Sequence, residues 1–326
     1  MPSPRFVHLR FHSEYSITDG IVRIDPMIHA VLEGGGAAVG ISDLMNVFGG
    51  LRFYTHALAA GLKPILGCDL KVINPKDLNK PFRLGVLCMN HEGYHSLSVL
   101  LTKAFLTNND AARGLVDPKW FDDGGSEGLI ALSGAAQGEL GSLLLGKKWS
   151  LAHEAAERFK AQFSGRFYVE LQRAGRPTDE LATARLANFA VEEQLPVVAT
   201  HPIQFLKPED FEAHEVRCSI AEGYTLQDPR RVKRYTPEQY LKSEAEMCEL
   251  FADIPAAIEN TVEIAKRCNL DGVLSKPQLP LFPTPDGMSL DDYIDQLSKE
   301  GLQKRLEFLY PDPKVLEEKR PPYDKR

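Results

Sequence analysis

Side chains able to do chemistry gather near the N-terminus, in residues 6–20, FVHLRFHSEYSITDG. In the first half of this stretch Phe6, His8, Arg10 and His12 alternate with Val7, Leu9 and Phe11. That is the period of a β-strand, whose successive side chains point to opposite faces. Because the second face is apolar, the first turns two imidazoles and a guanidinium toward a polar space, as metal or phosphate chemistry would require. A strand edging into solvent has the same pattern, since isolated histidines are common. Carboxylates recur downstream: Asp19 in the same stretch, Asp43 after Ser42, and Asp69 just past the apolar run 64–66.

These residues need a scaffold, and the chain offers alternating strands and helices. A helix is expected at 25–32, stopped by Gly34-Gly35-Gly36, whose first members tolerate the positive φ of a C-terminal cap. A buried strand at 37–41 then delivers Ser42-Asp43 at its end, where α/β barrels carry functional loops. Helix 50–60, strand 64–66, strand 82–89, helix 92–103, strand 128–132, helix 150–163, strand 167–171 with Glu170, helix 180–194 and strand 195–200 follow. About seven such units fill a barrel. In helix 150–163, Leu151, Ala155, Phe159 and Phe163 form an apolar stripe that reads as core.

From Lys207 the pattern changes to helices and loops. Residues 227–235, QDPRRVKRY, hold a basic cluster that would suit either phosphates or a solvated loop. Ser243 with Glu246 three residues later has capping-box spacing before a helix at 245–251, and another helix is expected at 256–268. Pro277, Pro280, Pro283 and Pro285 read as an extended connector and place the domain boundary after residue 276. Residues 289–309 are amphipathic, with Leu290, Ile294, Leu297 and Leu306 on one stripe, and the tail KRPPYDKR follows.

At 326 residues, 43% hydrophobic and 25% charged, the chain can bury a full core. A net charge of -7 gives no bulk attraction to phosphate backbones and argues against an independent DNA-binding module. Cys68, Cys88, Cys218, Cys248 and Cys268 are too scattered for a zinc knuckle and odd in number, so reduced thiols are expected. The N-terminus lacks the apolar core of a signal peptide and no run approaches bilayer-spanning length, which leads to the expectation of a cytoplasmic protein without membrane contact.

Several blocks, in order, resemble the N-terminal part of bacterial replicative C-family polymerases, the DNA polymerase III alpha subunits, beginning with the PHP (polymerase and histidinol phosphatase) domain. They are FVHLRFHSEYSITDG, ISDLMNVFGGLRFY, GLKPILGCDLKV, GLIALSGAAQGELG, LPVVATHPIQF and YLKSEAEMCELFADIPAAIENTVEIAKRCNL. The stretch PQLPLFPTPDGMSLDDYIDQLSKEGL looks like the entry to the polymerase palm. The resemblance implies a distorted seven-stranded (β/α) barrel over residues 1–276, with C-terminal helices, and the beginning of the palm over 277–326. The family's palm carboxylates, which hold magnesium, lie beyond the last residue given, so this stretch is not expected to polymerise DNA and no cofactor is expected in it.

Active PHP domains hold up to three metal ions on histidines and carboxylates, donors that suit zinc, manganese or iron and could hydrolyse phosphate esters. Carried onto this chain, His12, Asp19 and Asp69 remain plausible ligands, and Asp43 stands where an acid is expected. Arg10, Leu44, Arg83, Ala135, Pro202 and Gln204 occupy the other ligand positions and do not suit a metal. Arg10 and Arg83 are therefore expected to pair with Asp19, Asp69 or Asp43, and His201 to be solvent-facing or hydrogen-bonded rather than a substitute ligand. The expected function is a non-catalytic scaffold that docks the separate proofreading exonuclease subunit, epsilon, within the polymerase holoenzyme, with DNA held mainly by other domains. The alternative is a metal-dependent phosphoesterase, a 3′ to 5′ exonuclease or pyrophosphatase with an irregular metal set.

Overall fold

Apolar runs broken by glycine and by short polar loops fold into six strands: β1 (Ala38–Ile41), β2 (Lys63–Val72), β3 (Phe82–Cys88), β4 (Leu129–Leu132), β5 (Phe167–Gln172) and β6 (Val197–Thr200). This is a computed structural model, and it describes residues 5–107, 114–271 and 282–325. The strands form one curled half-barrel sheet in the order β1-β2-β3-β4-β5-β6. Parallel pairing joins β1 to β2, β4 to β5 and β5 to β6, whereas β3 runs antiparallel to both neighbours. The reversal has a simple cause. Residues 73–81 between β2 and β3 contain no helix, and a connection that short cannot make the crossover that a parallel pair needs.

The opening segment lies between β1 and the chain after β6. His8 bridges Val39 and Phe11 bridges Ile203, both in parallel sense. Gly40 donates to the His8 carbonyl at 2.7 Å, Ser42 to that of Phe11 at 2.9 Å, and His12 to that of Ile203 at 3.1 Å. This segment thus takes the place of a further strand through isolated bridges, not as the regular seventh strand expected.

Strand parity sorts the core into two apolar clusters. Ala38, Ile65, Leu87, Ile130, Leu132, Tyr168 and Val198 face inward and meet Val7 and Leu9. Val39, Leu66, Val86, Ala131, Val169 and Ala199 face outward, under the helices. The strict alternation expected of residues 6–12 fails here: Phe6 and Phe11 share the outer cluster, and Val7 and Leu9 share the inner one. Arg10 follows Leu9 without changing side, because both line the interior.

Helices α1 (Ile24–Glu33), α2 (Gly50–Ala59), α3 (His91–Leu106), α4 (Glu139–Leu145), α5 (Trp149–Gln162) and α6 (Asp179–Glu192) alternate with the strands. Of these, α4 has no counterpart in the sequence reading. Two further readings need correction. Strand β2 runs on past residue 66, so Asp69 lies inside it. The core face of α5 is Ala152, Ala155, Ala156 and Phe159, while Leu151 is 37% exposed.

Helices α7 (Phe211–Glu222), α8 (Glu244–Leu250) and α9 (Pro255–Arg267) follow. The capping box forms as the spacing predicts, with Ser243 and Glu246 capping each other at the start of α8. Helix α9 adds Ile264 and Ala265 to the inner cluster, and Cys268 at its C-cap joins them.

The chain divides into two compact units, Met1–Val273 and Leu274–Arg326. Pro277 and Pro280 of the expected connector lie outside the described residues, and Pro285 opens a short 3-10 turn, Pro285–Gly287. In the second unit α10 (Leu290–Leu309) is followed by α11 (Pro313–Lys319) and α12 (Pro321–Asp324). Arg320 donates back to Gln303 of α10 at 2.7 Å. Leu306 is buried, whereas Leu290, Ile294 and Leu297 are exposed.

Gly40 is where the opening segment and β1 approach each other most closely, because a Cβ there would stand 2.5 Å from the Leu9 carbonyl oxygen. Gly40→Ala should therefore destabilise the fold by roughly 1–3 kcal/mol, the usual range for overpacking. Gly50→Ala, where the nearest atom is 3.6 Å away, should stay within about 0.5 kcal/mol of the parent. Urea denaturation of the two variants against the parent checks the difference.

Candidate functional site

Inward parity brings charged residues to one end of the sheet. On β2 this places Asp69 above Ile65, and on β5 it places Glu170 and Gln172 beyond Tyr168. Antiparallel β3 reaches the same end with its first residues, so Arg83 stands across from Lys71 of β2. The opening segment adds Arg10 and His12. A small polar cavity of about 70 Å³ results, lined in part by Arg10, His12, Asp19, Asp69, Arg83 and Gln204.

Arg10 is the hub of this cavity. Its Nη1 donates to both oxygens of Glu170 at 2.7 and 2.9 Å, and its Nη2 reaches Asp69 Oδ2 at 2.7 Å. The same Asp69 oxygen lies 3.4 Å from His12 Nε2 and 3.5 Å from Arg83 Nη1. His12 Nδ1 stands 3.0 Å from Asp19 Oδ2 and 3.2 Å from Gln204 Nε2. Asp19 also accepts from Ser16 at 2.7 Å and from Tyr235 at 3.0 Å. Glu170 is further held by the Gly134 amide at 2.9 Å, by Gln172 at 3.1 Å and by the Thr200 hydroxyl.

Burial alone would neutralise these groups, and pairing reverses it. For Arg10 desolvation opposes the charge, but Asp69 and Glu170 outweigh it and raise the pKa. For His12 desolvation is again the largest influence, yet Asp19 and then Asp69 carry the pKa up to about 9, so the imidazole is cationic at neutral pH. Against the same penalty, His12 and Ser16 hold Asp19 well below the usual carboxylate range, and Arg10 and Arg83 do so for Asp69. The result is a network in which Arg10, Arg83 and His12 face Asp19, Asp69 and Glu170, while Arg176 and Arg234 also line the cavity and Asp69 Oδ1 and Arg10 Nε are buried without a hydrogen bond.

The other residues singled out from the sequence divide clearly. Asp43 does not line the cavity; its carboxylate accepts from the Ser13 amide at 2.6 Å and the Ser13 hydroxyl at 2.7 Å. Burial raises its pKa to about 6, although the Ser13 bonds pull the other way. Pro202 and Gln204 line the cavity, and Ala135 is buried beside it in the left-handed region at φ 47°. Leu44 borders an adjoining open cleft.

His201 is buried and bonded through Nε2 to the Glu238 carbonyl at 2.9 Å; its ring centroid lies 6.5 Å from that of His8. It is a hydrogen-bonded residue, as expected, and not a solvent-facing one. His8 likewise turns away from the cavity and meets the Lys242 carbonyl at 2.7 Å.

Among the described residues no group of three or more His, Cys, Asp or Glu side chains is arranged to hold a metal ion. Residues 227–235 form a largely exposed loop whose arginines are paired with carboxylates. Arg231 pairs with Glu215 at 2.8 Å, Arg234 with Glu222 at 2.9 Å and Arg230 with Asp228 at 2.7 Å, while Tyr235 closes over Asp19.

Glu170 is noted on its strand in the sequence but is not assigned there to the site. A signal was present: it is the one carboxylate in FYVELQ, a strand buried at every position, and a buried carboxylate requires a partner. Glu170→Gln should destabilise the protein by about 3 kcal/mol, the lower end for breaking a buried pair, because Arg10 keeps Asp69. The midpoint of urea unfolding measures this.

The buried histidines set an acid limit. Desolvation lowers His8 to about 4 and His201 to about 3, from 6.5 when unfolded. Both are neutral in the fold but charge in the unfolded chain, so stability falls as pH drops below 6.5. Asp43, raised to about 6, returns part of that loss by protonating in the fold. At about 1.36 kcal/mol per pKa unit, and with the smaller gain from His12 included, the net loss from pH 7 to pH 5 is roughly 1–2 kcal/mol. His12 acts oppositely, its contribution fading as pH rises through about 9. Thermal midpoints should therefore peak near neutral pH, and a midpoint at pH 5 equal to that at pH 7 would contradict this assignment.

Residues 8–174 match the PHP domain family. The whole chain is 48% identical to a DNA polymerase III subunit alpha of Neisseria meningitidis serogroup B, spanning 29% of that protein. It is 43% identical to that of Escherichia coli K12, where 100% of the chain matches 28% of the relative. Among solved structures it is similar to an amidohydrolase from Chromobacterium violaceum, at a TM-score of 0.41 and 12% identity over 61% of this chain and 87% of that one. The chain thus spans less than a third of the length of these polymerase subunits. It belongs to the PHP domain family and corresponds to the N-terminal PHP region of DNA polymerase III alpha subunits.

Proposed function

We propose that this PHP region has lost its metal centre and serves chromosomal replication as a non-catalytic scaffold, stabilising a polymerase alpha subunit and docking its proofreading exonuclease, epsilon, in the cytoplasm. The observation that carries this reading is the occupancy of Asp69. Two guanidiniums and a cationic imidazole share one of its oxygens, at the position where a ligand carboxylate would face a metal. Permanently charged arginines repel a dication and leave no lone pair to donate. Residues 277–326 are assigned to the beginning of the palm. Polymerase chemistry, with its magnesium, and most DNA contacts belong to the remainder of such subunits.

Metal analysis of the purified chain, together with a phosphoesterase and 3′ to 5′ exonuclease assay in added manganese, tests the loss of the centre. Substoichiometric zinc, manganese and iron with no turnover are expected. Near-stoichiometric metal, with turnover abolished by His12→Ala, would establish the phosphoesterase reading instead. Gel filtration with purified epsilon subunit tests docking, and co-elution is expected.

A further inference from the structure

Where the polar cavity opens, two cations are left over from its ion pairs. Half-buried Lys71 of β2 lies directly across from Arg83 of β3 in the antiparallel register. Residues so paired share a face, and both side chains line an open cleft of about 790 Å³ that shares Asp19, Arg83, Gln137, Arg234 and Tyr235 with the cavity. Like charges set opposite each other in a sheet cost stability. The Lys71 ammonium has no hydrogen bond or ion pair among the described residues to offset that cost.

Arg176, just past β5, lines the cavity itself. Its Nη1 donates to Gln172 at 3.1 Å, its Nε is buried without a hydrogen bond, and among the described residues its guanidinium reaches no carboxylate. Asp179, the acid nearest to it in sequence, accepts instead from the Ala174 and Arg176 amides at 2.7 and 3.1 Å.

The other cations are already matched. Arg10 holds Asp69 and Glu170, His12 holds Asp19, Arg234 pairs with Glu222 at 2.9 Å, and Lys80 reaches Asp77 at 3.8 Å. Arg83 has a longer contact, 3.5 Å, to an Asp69 oxygen that Arg10 and His12 share. Asp19 and Asp69 are thus offset, and positive charge exceeds negative at the junction of cavity and cleft. A surplus held in a concave, partly desolvated site attracts an anion more strongly than the same charges on an open surface. Guanidinium and ammonium donors match the oxygens of a tetrahedral oxyanion, and the cavity, at about 70 Å³, has room for a few waters or one small ion.

We propose that this junction is a metal-independent site for a phosphoryl oxyanion, bound at Arg83 with Lys71 on the cleft side and Arg176 on the cavity side. The inference rests on the reading that the metal centre is lost. The anion acts as a counter-ion that ties β2, β3 and the loop after β5 together; no bond is made or broken.

The 326-residue chain is titrated with inorganic phosphate and, separately, with a deoxynucleoside 5′-monophosphate, in EDTA and at an ionic strength fixed with chloride. Calorimetry and thermal melts follow binding. Phosphate should bind saturably and raise the thermal midpoint. Lys71→Gln and Arg176→Gln should each weaken it at least about tenfold, whereas Lys266→Gln, on α9 and lining neither space, should leave it unchanged. In chloride alone Lys71→Gln should melt no lower than the parent, because the like-charge pair is relieved. A nucleotide that binds at least as tightly as phosphate identifies a nucleotide-borne group, and one that fails to compete identifies the free ion. Equal effects of phosphate and chloride, or indifference to either glutamine substitution, would overturn the proposal and leave the metal-free reading standing. Phosphate binding that vanishes in EDTA would overturn both.

Discussion

The fork of Arg10 between Asp69 and Glu170 is the constraint on which the rest of the site depends. Those carboxylates sit on β2 and β5, on opposite sides of the curled sheet, and the guanidinium spans them from the opening segment at 2.7 Å on each side. None of the three is more than slightly exposed, so an unmet charge among them would be costly. Removing the cation would leave two buried carboxylates facing each other. Removing a carboxylate would leave a buried guanidinium with half its donors unsatisfied.

That demand shapes the backbone around it. A regular strand through residues 6–12 would place Leu9 and Arg10 on opposite faces, yet both face inward. The slip is tolerated because the segment is joined to β1 and to the chain after β6 by isolated bridges and not by a continuous ladder. Contact with Gly40 brings the two backbones close enough for the bridge to form. Beyond the slip Arg10 and His12 stand on the cavity side while Phe11 packs outward against Phe53, ring centroids 5.6 Å apart. His8, before the slip, is left to the Lys242 carbonyl.

Much of this was legible in the residues. The order of helices and strands and the capping box at Ser243 followed from local patterns, whereas the arginines were placed among the carboxylates by the family resemblance, and both Arg10 and Arg83 pair with Asp69. What escaped depended on relations that a single strand does not display. The antiparallel turn of β3 arises from the length of one connection. The identity of Glu170 as Arg10's second partner is set by the curl of the sheet, which carries β5 to face β2. Asp43 looked like a site residue by its place after a strand, but Ser13 reaches it first.

The carboxylates of the cavity are accounted for by the partners they hold. Asp19 and Asp69 look like remnants of metal chemistry, but each has a local reason to be an acid. Asp19 holds His12, Ser16 and Tyr235, and Asp69 holds Arg10, Arg83 and His12. Once a guanidinium occupies a buried polar space, its partners are retained by the energy of leaving it alone, whether or not any reaction takes place. The coupling runs both ways: Arg10→His would leave Glu170 and Asp69 short of positive charge. The acids of this cavity are therefore balanced from within, by the arginines and the imidazole of the chain itself.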